Sequence, residues 1–226
     1  EEFLKAKELG AVINLDAFEH LAFLETHAGL PDMLSFRYNP GASREGNVII
    51  GRPEEAKFGM TRAQILDAYA LAKEKGVRRF GLHTMVASNE LRIEYFVETA
   101  RMLFDIVQEV RATLNIEIEQ VNLGGGIGIP YRPDDQPVDV TALGERIRAI
   151  YDEHHLSPIR LATECGRYIT GPHGYLVTSV RHLKETYRKY AGLDATMANL
   201  MRPGMYGAYH HMTVLGKEEA AASDTY

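Results

Sequence analysis

In the stretch IRLATECGRYITGP, residues 159–172, an apolar run leads straight into Glu164, and Arg167 follows three positions later, before the break at Gly171 and Pro172. Ser, Asn or Gly would turn the chain at lower cost, so the two charges need partners. They could pair with each other across a short turn. Alternatively, Glu164 meets a protonated ring nitrogen, while the planar fork of Arg167 meets an anionic ligand group. Cys165 has no neighbouring base to make it a nucleophile and reads as a packed small residue. Upstream, VNLGGGIGIPYRP places Gly124, Gly125, Gly126 and Gly128 directly after an apolar run. Consecutive glycines either let backbone N–H groups close on a phosphate or form a flexible turn. The pattern is not G-x-x-x-x-G-K-[ST], and G-x-G-x-x-G fails because Pro130 stands where the third glycine belongs.

Further along, NLMRPGMYGAYHHMTV surrounds Arg202 with Met and Tyr. The run could be a buried interface segment. Alternatively, Arg202 and Tyr206, four residues apart, could both donate to a substrate carboxylate. The pairs His154 with His155 and His210 with His211 lack the nearby cysteines or acids of a zinc site and read as packing or surface residues. Lys57 in AKFGM and His83 in FGLHTMVASN stay open between structural and catalytic roles.

These residues need elements to hold them. Short β-branched or apolar runs at 11–15, 34–38, 79–84, 119–123 and 159–163 alternate with amphipathic stretches at 17–27, 61–75, 89–114 and 141–155. That alternation predicts βα units around a parallel sheet, with Thr61 as an N-cap. Each strand ends in unusual polar residues: Asn14 and Asp16, Arg37 and Asn39, His83, Asn122, Glu164. A polar carboxyl end on every strand favours a (β/α)8 barrel, whose ligands bind at that rim, over an open sheet with one switch point. About five strands do not close an eight-stranded barrel, so others are expected outside these residues.

The 226 residues are 45% hydrophobic and 25% charged, which is enough to bury a sizeable core. A net charge of -6 spread along the chain gives no basic stripe, so nucleic acid is not an expected partner. No apolar run reaches the roughly 20 residues of a membrane span. One cysteine, Cys165, excludes an intrachain disulfide and fits a reducing cytoplasm. The opening EEFLKAKELG reads as the middle of a helix, an expectation that the chain is a piece of something longer.

Several segments, in order, carry a family resemblance: SFRYNPG, AKFGM, GLHTMVASN, VNLGGGIGIPY, ECGRYITGPHGYLVT and GLDATMANLMRPGMYGAYHH. With them the chain resembles the diaminopimelate decarboxylase family of alanine-racemase-like, fold type III pyridoxal-phosphate enzymes. The resemblance implies a partial barrel over residues 1–180 and the start of a C-terminal β domain over 181–226. It implies pyridoxal 5'-phosphate as cofactor, with His83, Ser88, Gly124, Gly125, Gly126, Glu164, Gly166 and Arg167 around it and Glu164 at the pyridine nitrogen. Arg167, Arg202 and Tyr206 are the implied substrate-carboxylate contacts. The implied reaction is decarboxylation of meso-diaminopimelate to L-lysine in a cytoplasmic homodimer. Another amino acid or carboxynorspermidine is the alternative substrate, and a non-catalytic phosphate-binding domain the alternative role.

The chain departs from the family pattern at specific places. Met85 and Ala87 stand where H-x-H-x-G-S has an imidazole and a glycine, and Cys165 replaces the proline of E-P-G-R. A thioether still packs on an aromatic face, and losing the proline removes no ligand. The family's cofactor lysine in Y-x-x-K-A-N and its C-E-S-G-D segment are expected outside these residues, leaving no catalytic residue within the chain.

Overall fold

The computed structural model describes residues 1–44 and 52–220. Helix α1 (Glu2–Glu8) precedes strand β1 (Ile13–Leu15), and then strand and helix alternate. The succession is α2 (His20–Ala28), β2 (Met33–Arg37), α3 (Arg62–Glu74), β3 (Arg79–His83), α4 (Ile93–Leu114), β4 (Ile118–Asn122), α5 (Val140–Glu153) and β5 (Arg160–Ala162). All four pairings among these five strands are parallel, and their spatial order β1-β2-β3-β4-β5 is the order in the chain. A doubly wound sheet reverses its order at a switch point, whereas a β/α barrel adds each strand beside the last. The sequential order is therefore an arc of barrel wall. The barrel is not closed: β1 and β5 each have one edge unpaired among the described strands.

Curvature shows in the side chains. Asn14 Nδ2 lies 3.1 Å from His83 Nδ1, joining β1 to β3 across β2. Strands two apart in a flat sheet are separated by about 9.6 Å, so the inner side chains converge as they do inside a barrel, where alternate strands share a layer.

The other face of the sheet carries the core. Leu34, Phe36 and Leu82 pack among Ile65, Ala68 and Tyr69 of α3 and Ala100, Leu103 and Phe104 of α4, all essentially inaccessible to water. Tyr69 is wedged edge-on between Phe36 and Phe80, and its hydroxyl donates to the Gly81 carbonyl at 2.7 Å, satisfying the polar end of a buried ring. Helix α3 starts where Thr61 predicts, through a reciprocal capping box with Gln64. Asp139 caps α5 by accepting from Thr141 and Ala142.

Helix α4 starts at Ile93, four residues later than the periodicity predicts, because 89–92 have another task. Glu90 forms a parallel bridge with Ile127, its N–H donating to the Gly126 carbonyl while its own carbonyl accepts from Gly128, both at 2.9 Å. Asn89, at φ +55°, accepts from the Ile129 N–H. The loops leaving β3 and β4 are thus zipped together.

The chain divides into two compact units: residues Glu1–Ile129 with Pro137–Ile169, and Pro130–Gln136 with Thr170–Tyr226. In the second, β6 (Val180–Glu185) and β7 (Lys189–Leu193) form an antiparallel hairpin, followed by the short helix α7 (Arg202–Tyr206). Residues 221–226, the end of the expected second region, lie outside the described residues.

Candidate functional site

The polar strand ends of the first unit converge on one rim. Asn122, the last residue of β4, is oriented on both sides: its Oδ1 accepts from the Gly124 N–H at 2.9 Å, so its Nδ2 faces Glu164 Oε1 at 2.8 Å. The other Glu164 oxygen, Oε2, lies 3.6 Å from His83 Nε2, too far for a hydrogen bond. That Nε2 is buried and has no hydrogen-bond partner. Burial drives the His83 pKa below the ordinary histidine value; Glu164 opposes this, and Arg37 adds to it. Arg37, ending β2, donates to Asp16 Oδ1 at 3.0 Å and to the Met85 carbonyl at 3.2 Å, tying the loops after β1, β2 and β3 together.

Arg167 and Glu164 form no ion pair. Arg167 sits in α6 (Gly166–Thr170), which begins two residues after Glu164. Its Nη2 reaches Ser88 Oγ at 3.4 Å, and its Nη1 is buried without any hydrogen-bond partner. A buried guanidinium nitrogen left unpaired is costly, and an anion beside Ser88 would satisfy it. Of the two readings of the Glu164–Arg167 spacing, mutual neutralisation is thereby excluded within the first unit.

The glycines are there chiefly for the protein's own backbone. A Cβ on Gly124 would run into the Thr84 carbonyl, one on Gly126 into the Ala87 carbonyl, and one on Gly125 into the Glu164 carbonyl. Gly124 and Gly126 also take φ of +74° and +91°. Small residues here let the loop after β4 nest between those after β3 and β5. Gly166 differs, since a Cβ built on it meets nothing within 4 Å. Met85 packs inward, its Sδ 3.1 Å from the Gly125 N–H. Cys165 lines an apolar cavity with Phe96, Leu123, Leu143 and Ile147, consistent with packing.

His83, Ser88, Gly124, Gly125, Gly126, Glu164, Gly166 and Arg167 lie at the strand ends and in the loops of this one rim. Arg202 and Tyr206 belong to the second unit, where α7 places them one turn apart on the same face. Arg202 Nη1 lies 3.0 Å from His210 Nε2, and its guanidinium stacks over Tyr131 at 4.8 Å. His154 accounts for itself by packing, with contacts to the Ile150 carbonyl, Asp105 and the Phe104 ring. Asn14 and Asn122, expected only as polar strand ends, are the partners that reach His83 and Glu164. Their signal is a polar residue closing an otherwise apolar strand. Among the described residues no group of three or more His, Cys, Asp or Glu could hold a metal ion, and no helix is long and apolar enough to cross a membrane.

A carboxylate held by Asn122 and a buried arginine nitrogen without a partner thus stand at the carboxyl-end rim of a β/α-barrel domain. Residues 1–171 match the family of pyridoxal-dependent decarboxylases, in its pyridoxal-binding domain, and the chain belongs to that family. It is 39% identical over 214 residues to protein TabA of Pseudomonas amygdali pv. tabaci, covering 94% of this chain and 50% of the relative. To the diaminopimelate decarboxylase of Methanothermobacter thermautotrophicus it is 36% identical over 220 residues, 95% of this chain and 51% of the relative. Among solved structures, diaminopimelate decarboxylase from M. jannaschii in complex with L-lysine superposes with a TM-score of 0.81 at 32% identity, covering 93% of this chain and 51% of that one. The chain spans about half the length of the relatives it matches.

Proposed function

We propose that the full-length protein decarboxylates meso-diaminopimelate to L-lysine and CO2, with pyridoxal 5'-phosphate held on this rim. The observation that carries the reading is that Glu164 and Arg167 ignore each other: each is positioned and left open for a ligand group of opposite charge. Arg167 Nη1, with Ser88 and the open side of Gly166, fits a phosphate. Glu164 fits a protonated ring nitrogen.

Bound there, the cofactor supplies an electron-withdrawing ring that accepts the electron pair left behind as CO2 departs. Glu164 keeps the ring nitrogen protonated. His83 is assigned to the same ring, and Arg167, Arg202 and Tyr206 to the substrate's carboxylates. Two arginines suit a diacid, orienting it by charge and geometry so that little motion is left at the reacting carbon. The hairpin β6–β7 and the residues C-terminal to it read as the start of a C-terminal β domain. A cytoplasmic homodimer completes the proposal.

The test is a substrate panel on the full-length protein, including diaminopimelate, ornithine, arginine and carboxynorspermidine, alongside Glu164→Gln. Diaminopimelate is expected to turn over fastest. The Gln variant is expected to keep the cofactor yet lose about a hundredfold in rate, equivalent to about 3 kcal/mol of transition-state stabilisation. Near-normal turnover with Gln sinks the role of Glu164, and preference for another member of the panel sinks the substrate.

A further inference from the structure

We propose that His83 is a positioning residue for the Glu164 carboxylate, set in one tautomer by Asn14, and not a cofactor contact in its own right. The inference rests on the proposed function. It concerns how Glu164 is aimed, and it replaces one role in that proposal, the direct contact of His83 with the ring.

The chain of contacts runs across the odd-numbered strands. Asn14 on β1 reaches His83 Nδ1 on β3 at 3.1 Å, and His83 Nε2 faces Glu164 Oε2, just past β5, at 3.6 Å. In a neutral imidazole one nitrogen donates and the other accepts. The carboxylate facing Nε2 selects the tautomer with its proton there, because a bare Nε2 lone pair would repel Oε2. Nδ1 is then an acceptor, and an Asn14 amide N–H is what it needs. The assignment is self-consistent from both ends.

His83 is 7% exposed and its Nε2 is unsatisfied, while the Glu164 side chain is 52% exposed. The mobile partner is thus the carboxylate. A shift of well under 1 Å brings Oε2 into hydrogen-bond range of a fixed donor. Asn122 already holds Oε1, and its own orientation is locked by the Gly124 N–H. With one neutral donor on each oxygen, Glu164 loses its rotational freedom and presents its remaining lone pairs to the rim. Arg37 is not available to displace His83 from this role, being engaged by Asp16 and the Met85 carbonyl.

The experiment uses the full-length protein as wild type, Asn14→Leu, His83→Gln, His83→Phe, Glu164→Gln and the His83→Phe/Glu164→Gln pair. Two quantities are read: the dissociation constant for added pyridoxal phosphate, and the pH dependence of the bound cofactor's absorption band. His83→Phe is expected to move that pH profile in the same direction as Glu164→Gln, by about one pH unit for a tenfold weaker hold on the ring proton. His83→Gln, which keeps an N–H donor, should move it less. In the Glu164→Gln background, His83→Phe should add nothing, the signature of a residue acting through another. Asn14 is exposed, so Asn14→Leu leaves the fold intact and should shift the profile the same way even where His83→Phe does not accumulate. Additive effects of His83→Phe and Glu164→Gln would overturn the inference, as would an Asn14→Leu profile identical to wild type. So would a His83 variant that weakens cofactor binding without moving the profile, since that marks a direct contact. Wild-type protein that takes up no pyridoxal phosphate overturns the proposed function, and this inference with it.

Discussion

Arg202 opens α7, and its guanidinium has company within its own unit: His210 Nε2 at 3.0 Å and the Tyr131 ring at 4.8 Å. An arginine N–H only donates, so His210 accepts through Nε2 and carries its proton on the other nitrogen. Aromatic stacking plus one hydrogen bond fixes the plane of the fork and leaves its other N–H groups for a carboxylate. If that carboxylate is the substrate's, Arg202→Ala in the full-length protein should lower kcat/KM for diaminopimelate by roughly thirtyfold or more, corresponding to a loss of at least about 2 kcal/mol. The cofactor spectrum should not change. Arg202→Lys should recover only part of the loss, because a point charge does not reproduce the fork. Binding of diaminopimelate and of lysine-sized amines lacking the distal carboxylate separates the cases. Equal weakening of both ligands, or release of the cofactor, makes Arg202 a structural residue.

At the scale of the loops, two kinds of glycine are distinguished by what surrounds them. Gly126 holds φ +91° with the Ala87 backbone against it, whereas Gly166 starts α6 with open space where a Cβ would go. Gly126→Ala is expected to destabilise by on the order of 1–3 kcal/mol from backbone strain alone, with the collision adding to it. Gly166→Ala should leave the melting temperature near wild type while weakening pyridoxal-phosphate binding, because its open side is where the phosphate fits. Thermal denaturation and cofactor titration of both variants check the contrast; a strongly destabilised Gly166→Ala would show that the space is illusory. Sequence alone does not separate ligand approach from backbone packing in the glycine run, because a phosphate loop and a close backbone crossing call for the same residue. Only the fold reveals that the Thr84, Ala87 and Glu164 carbonyls are what the missing Cβ atoms avoid. The βα alternation, by contrast, is legible in the sequence, since strands carry short buried runs such as Phe80-Gly81-Leu82 and α3 announces itself by the Thr61 capping box. The start of α4 is not, because Asn89 and Glu90 are spent on a tertiary bridge to 127–129 that no local pattern encodes. Nor is the Asn14–His83–Glu164 line, which exists only because the sheet curves.

The sequential parallel order of the strands constrains the whole molecule, since helices run back against strands and every helix of the wall ends at the rim opposite the site. That disposes of most lysines in the first unit. Lys5 and Lys7 lie in the last turn of α1, where Lys7 donates to the Ala28 and Gly29 carbonyls and Lys5 to Glu8. Lys73 and Lys75, at the end of α3, hold the Leu114 and Asn115 carbonyls and Glu25. Among the described residues of this unit, Lys57 alone stands in a loop leaving a strand's carboxyl end, and its ammonium rests 5.4 Å from the Phe58 ring centre, which Arg37 also contacts. Pyridoxal enzymes hold their cofactor through a lysine, and none of these is both on the rim and free of a local role in packing. The expectation is therefore that the lysine comes from a part of the full-length protein beyond these 226 residues, consistent with a chain that covers about half of its relatives. Borohydride reduction of the cofactor-loaded full-length protein, followed by peptide mapping, reads the answer directly. A pyridoxyl group on a lysine outside the chain is the expected result, with the 226 residues expressed alone acquiring none. An adduct on Lys57 would move the covalent chemistry onto the β2–α3 loop, beside Arg37 and Met85, and the assignment of roles on the rim would have to be rebuilt around it.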